Sequence, residues 1–199
     1  MNHLAELTKL RNRYFIIRHG ESRANVKGII LSHPKAGTRA FGLTENGKKQ
    51  VLESANKNKV LDKDTIIYSS DFKRARETAE IVRNVVKAKP VHFTAKLRER
   101  WFGQWERTHN SNYHRVWVDD AVNPDHKNKK VESTNEVLAR TTSLIFELEK
   151  KYSVKKIVLV AHGDALQILQ TGFMKQCPST HRSIKHLEVA EIRELRMIK

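Results

Sequence analysis

Apolar residues along this chain come in short runs, and the runs alternate with amphipathic stretches. Tyr14–Ile17, Thr65–Tyr68 and Ile157–Ala161 are unbroken apolar or β-branched segments, the pattern of strands buried on both faces. Val91–Phe93 is a weaker strand, entered through Pro90. Between them the period changes. Thr44 is a good N-cap for a helix over Thr44–Asn56. Ser69 and Ser70 are candidate caps for a helix over Asp71–Val86, in which Ala75, Thr78, Ala79, Val82 and Val86 share one face. Ser133 and Glu136 have capping-box spacing and predict a helix to about Lys151, with Val137, Leu138, Leu144, Ile145 and Leu148 inward. A helix over Asp164–Phe173 follows the Ile157–Ala161 strand. The tail, Leu187–Leu195, alternates enough for an edge strand. Strand and helix in alternation predict an open, mostly parallel α/β sheet with helices on both faces. Residues 101–130 show no clear period and are rich in Trp, His, Asn and Arg. They read as a lid-like excursion, at about 100–131, within one domain that spans 1–199.

The apolar runs are too short to cross a membrane. The N-terminus has neither the apolar stretch nor the cleavage site of a signal peptide. The single cysteine, Cys177, excludes an internal disulfide. Together these predict a cytoplasmic protein without membrane contact. Lys and Arg number 38 against 22 Asp and Glu, a net +16, which favours anionic partners. Neither zinc-finger spacing nor an aromatic RNA-binding strand is present, which argues against nucleic acid.

In open α/β sheets ligands bind beyond the C-terminal strand ends. Charged and titratable residues collect there. Arg18 and His19 follow the first strand in FIIRHGES. Arg74 lies in the first turn of the helix after the second, Glu99 lies in LRERWFGQWE after the third, and His162 follows the fourth in VLVAHGDAL. If the first and fourth strands are neighbours, the two imidazoles meet. Two arginines, two histidines and a carboxylate suit a phosphate ligand, because guanidinium forks hold phosphoryl oxygens and keep their charge. The same histidines with Glu99 are also a conceivable metal set, but Arg18 and Arg74 oppose a divalent cation. A G-x-S-x-G elbow and a P-loop are both absent.

These residues resemble the signature of the histidine phosphatase superfamily, in its phosphoglycerate mutase-like branch. RHGESRAN is followed in order by GLTENGKKQ, YSSDFKRARETA, LRERWFGQWE, VESTNEVLAR and LVAHGDAL, across about residues 13–170. The resemblance implies a three-layer α/β sandwich. It also implies a metal-independent phosphatase without cofactor, with His19 as nucleophile through a phosphohistidine and Glu99 as proton donor. Arg18, Arg74 and His162 would hold the phosphoryl group and Asn25 would touch substrate. The glycine after His19 is expected to leave room for substrate, and Trp101 or Phe102 to raise the Glu99 pKa. The substrate is expected to be a phosphorylated small molecule, with a phosphoprotein as the other option.

Two alternatives remain at this point: a phosphoglycerate mutase-type phosphotransferase, and a non-catalytic phospho-ligand or nucleic-acid binder on the same fold. The short stretch between Glu99 and Glu132 suits a small lid that admits water, which favours hydrolysis. Lys35, Arg39, Arg98, Arg100 and Arg107 are candidates for binding a second anionic group, or else face solvent.

Overall fold

The structure, a computed structural model, describes residues 1–198. Its strands are β1 (Arg13–Arg18), β2 (Ile66–Ser70), β3 (His92–Thr94), β4 (Lys156–Ala161) and β5 (Ile192–Leu195). They form one sheet in the order β3-β2-β4-β1-β5. The first four run parallel, and β5 pairs antiparallel with β1 as an edge strand. The helices are α1 (Arg23–Val26), α2 (Pro34–Gly37), α3 (Glu45–Lys57), α4 (Lys73–Val86), α5 (Tyr113–Val122), α6 (Thr134–Lys151) and α7 (Gly163–Phe173).

The apolar strands are continuous because both faces of the sheet are covered. Tyr14 and Ile16 of β1, with Ile157 and Leu159 of β4, point to one face and pack on Leu144 and Leu148 of α6 and Leu166 and Leu169 of α7. Phe15, Ile17, Val158 and Val160 point to the other and pack on Val51 and Ala55 of α3 and Ala75, Ala79 and Val82 of α4. Side chains alternate along a strand, so each strand serves two cores. The result is the expected three-layer α/β sandwich.

Two helix starts follow the sequence. The Thr44 hydroxyl accepts from the Gly47 amide at 2.9 Å, and Ser133 with Glu136 forms a full capping box. One start does not. Ser69 and Ser70 are the last two residues of β2, because pairing with Phe93 and Thr94 of β3 extends the strand through them. Helix α4 begins later, with Phe72 at its N-cap and no side-chain cap. Ser70 is instead buried beside the sheet edge, where its hydroxyl accepts from the Phe72 amide at 3.2 Å.

The excursion is ordered without a helical or strand period over most of its length. It consists of short 3-10 turns and α5, gathered on a small core of Ile30, Phe102, Val116 and Val131. A buried ion pair fixes it further. Arg100 donates to Asp120 of α5 at 2.6 and 2.7 Å, and both side chains are sealed from solvent. No helix among the described residues is long and apolar enough to cross a membrane.

Candidate active site

Strands β1 and β4 are neighbours, with Arg18 in register with Ala161, so the residues just beyond them emerge side by side. The rings of His19 and His162 meet edge to face with centroids 5.1 Å apart. His19 Nδ1 lies 2.8 Å from the Gly20 carbonyl, and Arg74 Nε donates to His19 Nε2 at 2.9 Å. A guanidinium cannot accept, so Nε2 must carry the lone pair and Nδ1 the proton. Burial, then the charges of Arg74 and Arg18, hold the His19 pKa well below its usual value. The ring is therefore neutral at physiological pH, with one basic nitrogen, Nε2, that accepts from Arg74.

Arg74 sits in the first turn of α4. Its Nη2 donates to the Leu31 carbonyl at 3.0 Å, while its Nη1 is buried with no partner. Arg18 donates through Nη1 to His186 Nε2 at 2.8 Å and to the Leu187 carbonyl at 2.9 Å, leaving its buried Nε unpaired. Buried guanidinium N–H groups without acceptors are costly unless a ligand supplies oxygen. His162 is fully buried, with Nε2 2.9 Å from Ser70 Oγ and Nδ1 unpartnered. Burial, then Arg74 and His19, hold it neutral as well.

Glu99 is buried, and one carboxyl oxygen accepts from the amides of Arg100 at 3.0 Å and Ala165 at 3.2 Å. Its pKa is raised, first by burial and then by the nearby Asp164 carboxylate, against the lowering effect of Arg74 and the two amides. Burial is the cause expected from the sequence, and the like charge of Asp164 adds to it.

Arg18, His19, Arg74, Glu99 and Asn25 line one cavity of about 210 Å³, and His162 adjoins it through its edge contact with the His19 ring. Asn25 Oδ1 accepts from the Ser22 amide at 2.9 Å and hydroxyl at 2.8 Å, so it closes the α1 capping box as well as bordering the cavity. The glycine after His19 has a different purpose from the one expected. A Cβ at Gly20 would stand 2.5 Å from the Gly47 carbonyl and 2.8 Å from Val51. Helix α3 approaches the backbone there, leaving no space for substrate on that side.

The second-anion candidates are not at the site. Arg98 pairs with Asp71 at 2.8 and 2.5 Å, and Arg100 is consumed by Asp120 and Asp164. Lys35 and Arg107 border a separate depression, and Arg39 is exposed. The cavity wall includes Trp117 of α5, a tryptophan of the excursion, and three residues that the sequence did not single out: Tyr113, Arg182 and His186. Trp117 Nε1 donates to Asp164 Oδ1 at 2.9 Å. Burial by itself would raise the Asp164 pKa, but His181, Arg100 and Arg182 prevail and hold it below the usual carboxylate range.

The profile of the histidine phosphatase superfamily (branch 1) matches residues 14–199. The chain belongs to that superfamily. It is 29% identical over 170 residues to a probable phosphatase, C1687.21, of Schizosaccharomyces pombe, covering 82% of this chain and 74% of that one. It is 30% identical over 162 residues to the probable phosphoglycerate mutase GpmB of Escherichia coli, covering 78% and 71%. Among solved structures, YhfR of Bacillus stearothermophilus superposes with a TM-score of 0.77 at 22% identity, covering 92% of this chain and 90% of that one. That likeness carries the fold alone.

Proposed function

We propose that this superfamily member hydrolyses a phosphate monoester in two displacements at His19, without a metal. The observation that carries the reading is the His19 tautomer: Nδ1–H tied to the Gly20 carbonyl, and Nε2 basic within a cavity that Glu99 also lines. The phosphoryl oxygens lie against Arg18 and Arg74, whose unpaired N–H groups supply donors and neutralise charge that a metal would otherwise offset. His162 contributes Nδ1. To donate there the ring carries its proton on Nδ1, and the Ser70 hydroxyl donates to Nε2.

In the first displacement the Nε2 lone pair attacks phosphorus and the bond to the ester oxygen breaks. Arg74 Nε passes from Nε2 to a phosphoryl oxygen. Glu99, whose pKa burial raises, gives its proton to the departing oxygen, which leaves as an alcohol. In the second, water attacks phosphorus while the Glu99 carboxylate takes its proton. The N–P bond breaks, its electrons return to Nε2, and phosphate is released. Asn25 is placed to touch substrate at the cavity rim. A cavity of about 210 Å³ favours a small-molecule ester over a folded phosphoprotein.

The test is a hydrolysis screen over phosphorylated metabolites, phosphopeptides and p-nitrophenyl phosphate with EDTA present. Wild type should release phosphate, and His19→Ala should not. Equal release by both proteins would overturn nucleophilic catalysis at His19, and loss of activity with EDTA would overturn metal independence. The mutase reading is supported by the 30% identity to a probable phosphoglycerate mutase. It requires priming by a bisphosphate and little net phosphate release, which the same screen reads. A non-catalytic binder would release none.

A further inference from the structure

Three guanidiniums line the cavity, and the proposed chemistry uses only Arg18 and Arg74. The third, Arg182, belongs to the 3-10 turn Pro178–Ser183 that follows α7. Gln167 of α7 fixes it. The Gln167 amide nitrogen donates to the His181 and Ile184 carbonyls, both at 3.1 Å, pinning the turn on either side of Arg182. Its Oε1 then accepts from Arg182 Nη1. The guanidinium carbon lies 3.7 Å from the centre of the Trp117 ring, and Tyr113 stacks on the same indole.

This arrangement orients a planar fork without neutralising it. Nε and Nη2 of Arg182 make no hydrogen bond, and no carboxylate oxygen lies within salt-bridge distance, among the described residues. The neighbouring acid, Asp164, is already committed to Trp117 and Arg100. A half-buried cation held rigid beside a cavity, with its donors unspent, is the arrangement that recognises an anion. The ring stack also limits rotation of the fork, so little entropy is lost on binding.

We propose that Arg182 binds a second anionic group of the substrate, carboxylate or phosphate, on the alcohol portion of the ester. The substrate class is then phosphate monoesters of acidic alcohols. This rests on the phosphatase reading for the first phosphate and extends it to the remainder of the substrate. The opposing demand comes from the cavity's own carboxyls. Glu99 is protonated in the state that binds substrate, and Asp164 is paired with Arg100, so the positive wall prevails.

Two matched pairs read the subsite: 3-phosphoglycerate against glycerol 3-phosphate, and a hexose 1,6-bisphosphate against the hexose 6-phosphate. The first isolates a carboxylate and the second a phosphate. Wild type is expected to favour the acidic member in kcat/KM by about tenfold or more in at least one pair. Arg182→Met keeps an apolar stem over Trp117 and should bring that ratio close to one, while Arg182→Lys should retain part of it. The ratio is internal to each protein, so a general disturbance of the pocket does not imitate the effect. A wild-type ratio near one in both pairs overturns the subsite. So does an unchanged ratio in Arg182→Met, the result expected if Arg182 gripped the transferred phosphate instead. Should wild type hydrolyse none of the four, the phosphatase reading is decided by the wider hydrolysis screen and the subsite by binding. Calorimetric titration of wild type and Arg182→Met with the same compounds then decides the subsite by the same affinity ratios.

Discussion

Arg74 Nε donates to His19 Nε2 at 2.9 Å, so the lone pair proposed to attack phosphorus is held by the cation proposed to grip the phosphoryl group. One side chain sets the tautomer, depresses the pKa and faces the incoming charge with its unpaired Nη1. Arg74→Lys keeps the charge but loses the fork. The ammonium cannot reach the Leu31 carbonyl, the ring and a phosphoryl oxygen together. We expect kcat to fall by about 10²–10³-fold with the fold intact, since one preorganised donor to developing charge carries that much. Steady-state kinetics with circular dichroism as the control checks it; a loss under threefold would remove Arg74 from the transition state.

Glu99 and His19 set opposite limbs of the pH profile. His19 must be neutral, and its depressed pKa moves the acid limb below pH 6.5. Glu99 must be protonated to serve as acid, and its raised pKa moves the alkaline limb above 4.5. kcat/KM should therefore show no loss as pH falls through 6.5, and should decline on the alkaline side as Glu99 ionises. In Glu99→Gln the alkaline limb should vanish. Turnover of alkyl phosphates should drop by about 10²–10⁴-fold. p-Nitrophenyl phosphate should lose much less in its first step, because its leaving group needs little protonation. Equal losses on both substrates in single-turnover kinetics would dismiss Glu99 as the acid.

Much of this was legible in the sequence. β1 and β4 read as apolar runs because both faces are buried, and their last residues had to project into the crevice. Arg18, His19, Arg74, Glu99 and His162 were identifiable for that reason. Thr44 and Ser133 announced their helices because capping is a local interaction. The Ser69-Ser70 pair misled because hydroxyls serve equally as caps and as ladder residues, and only pairing with β3 decides. Tyr113 and Arg182 carried no signal. The excursion is ordered by non-local contacts between Ile30, Phe102, Val116 and Val131. Arg182 reaches the cavity through a turn held by Gln167, an interaction without periodicity. Arg98 and Arg100 looked available because their acidic partners, Asp71 and Asp120, lie well removed in sequence.

Two of the buried histidines, His19 and His162, also make stability depend on pH. His19 and His162 have folded-state pKa values well below 6.5, so below pH 6.5 the unfolded chain binds more protons than the folded one. Stability is then complete above pH 6.5 and is lost as pH falls, by about 1.4 kcal/mol per pH unit for each histidine. Glu99 acts in the opposite sense. Its raised pKa favours the folded state at low pH, a contribution that fades as pH rises above 4.5, so it offsets part of the loss. Asp164, held below 3.8, does not titrate in this window. Urea unfolding between pH 7 and pH 5 should show a net decline. His162→Asn should make it shallower, and an unchanged slope would contradict a neutral buried His162.

Asp120 ties α5 to the catalytic edge. It receives two guanidinium bonds from Arg100, the residue next to Glu99, and lies 2.7 Å from His126 Nε2. Arg100 also donates to the Glu132 carbonyl at 2.6 Å and to Asp164 at 3.2 Å. Asp120→Ala leaves the guanidinium buried with only the longer Asp164 contact as a charge partner. Removing one member of such a pair costs about 3–5 kcal/mol, because the remaining charge stays desolvated. Replacing both, Arg100→Met with Asp120→Leu, removes the stranded charge and should recover part of that loss. His126 and Asp164 still lose a partner, so recovery should be incomplete. α5 carries Trp117 to the cavity wall, so loosening it should raise KM more than it lowers kcat. Thermal unfolding and steady-state kinetics on the two variants check both effects. Equal destabilisation in the single and double variants would mean that the pair is not energetically coupled, and that α5 is held by its other contacts, the Val116 packing and the Trp117–Asp164 hydrogen bond among them.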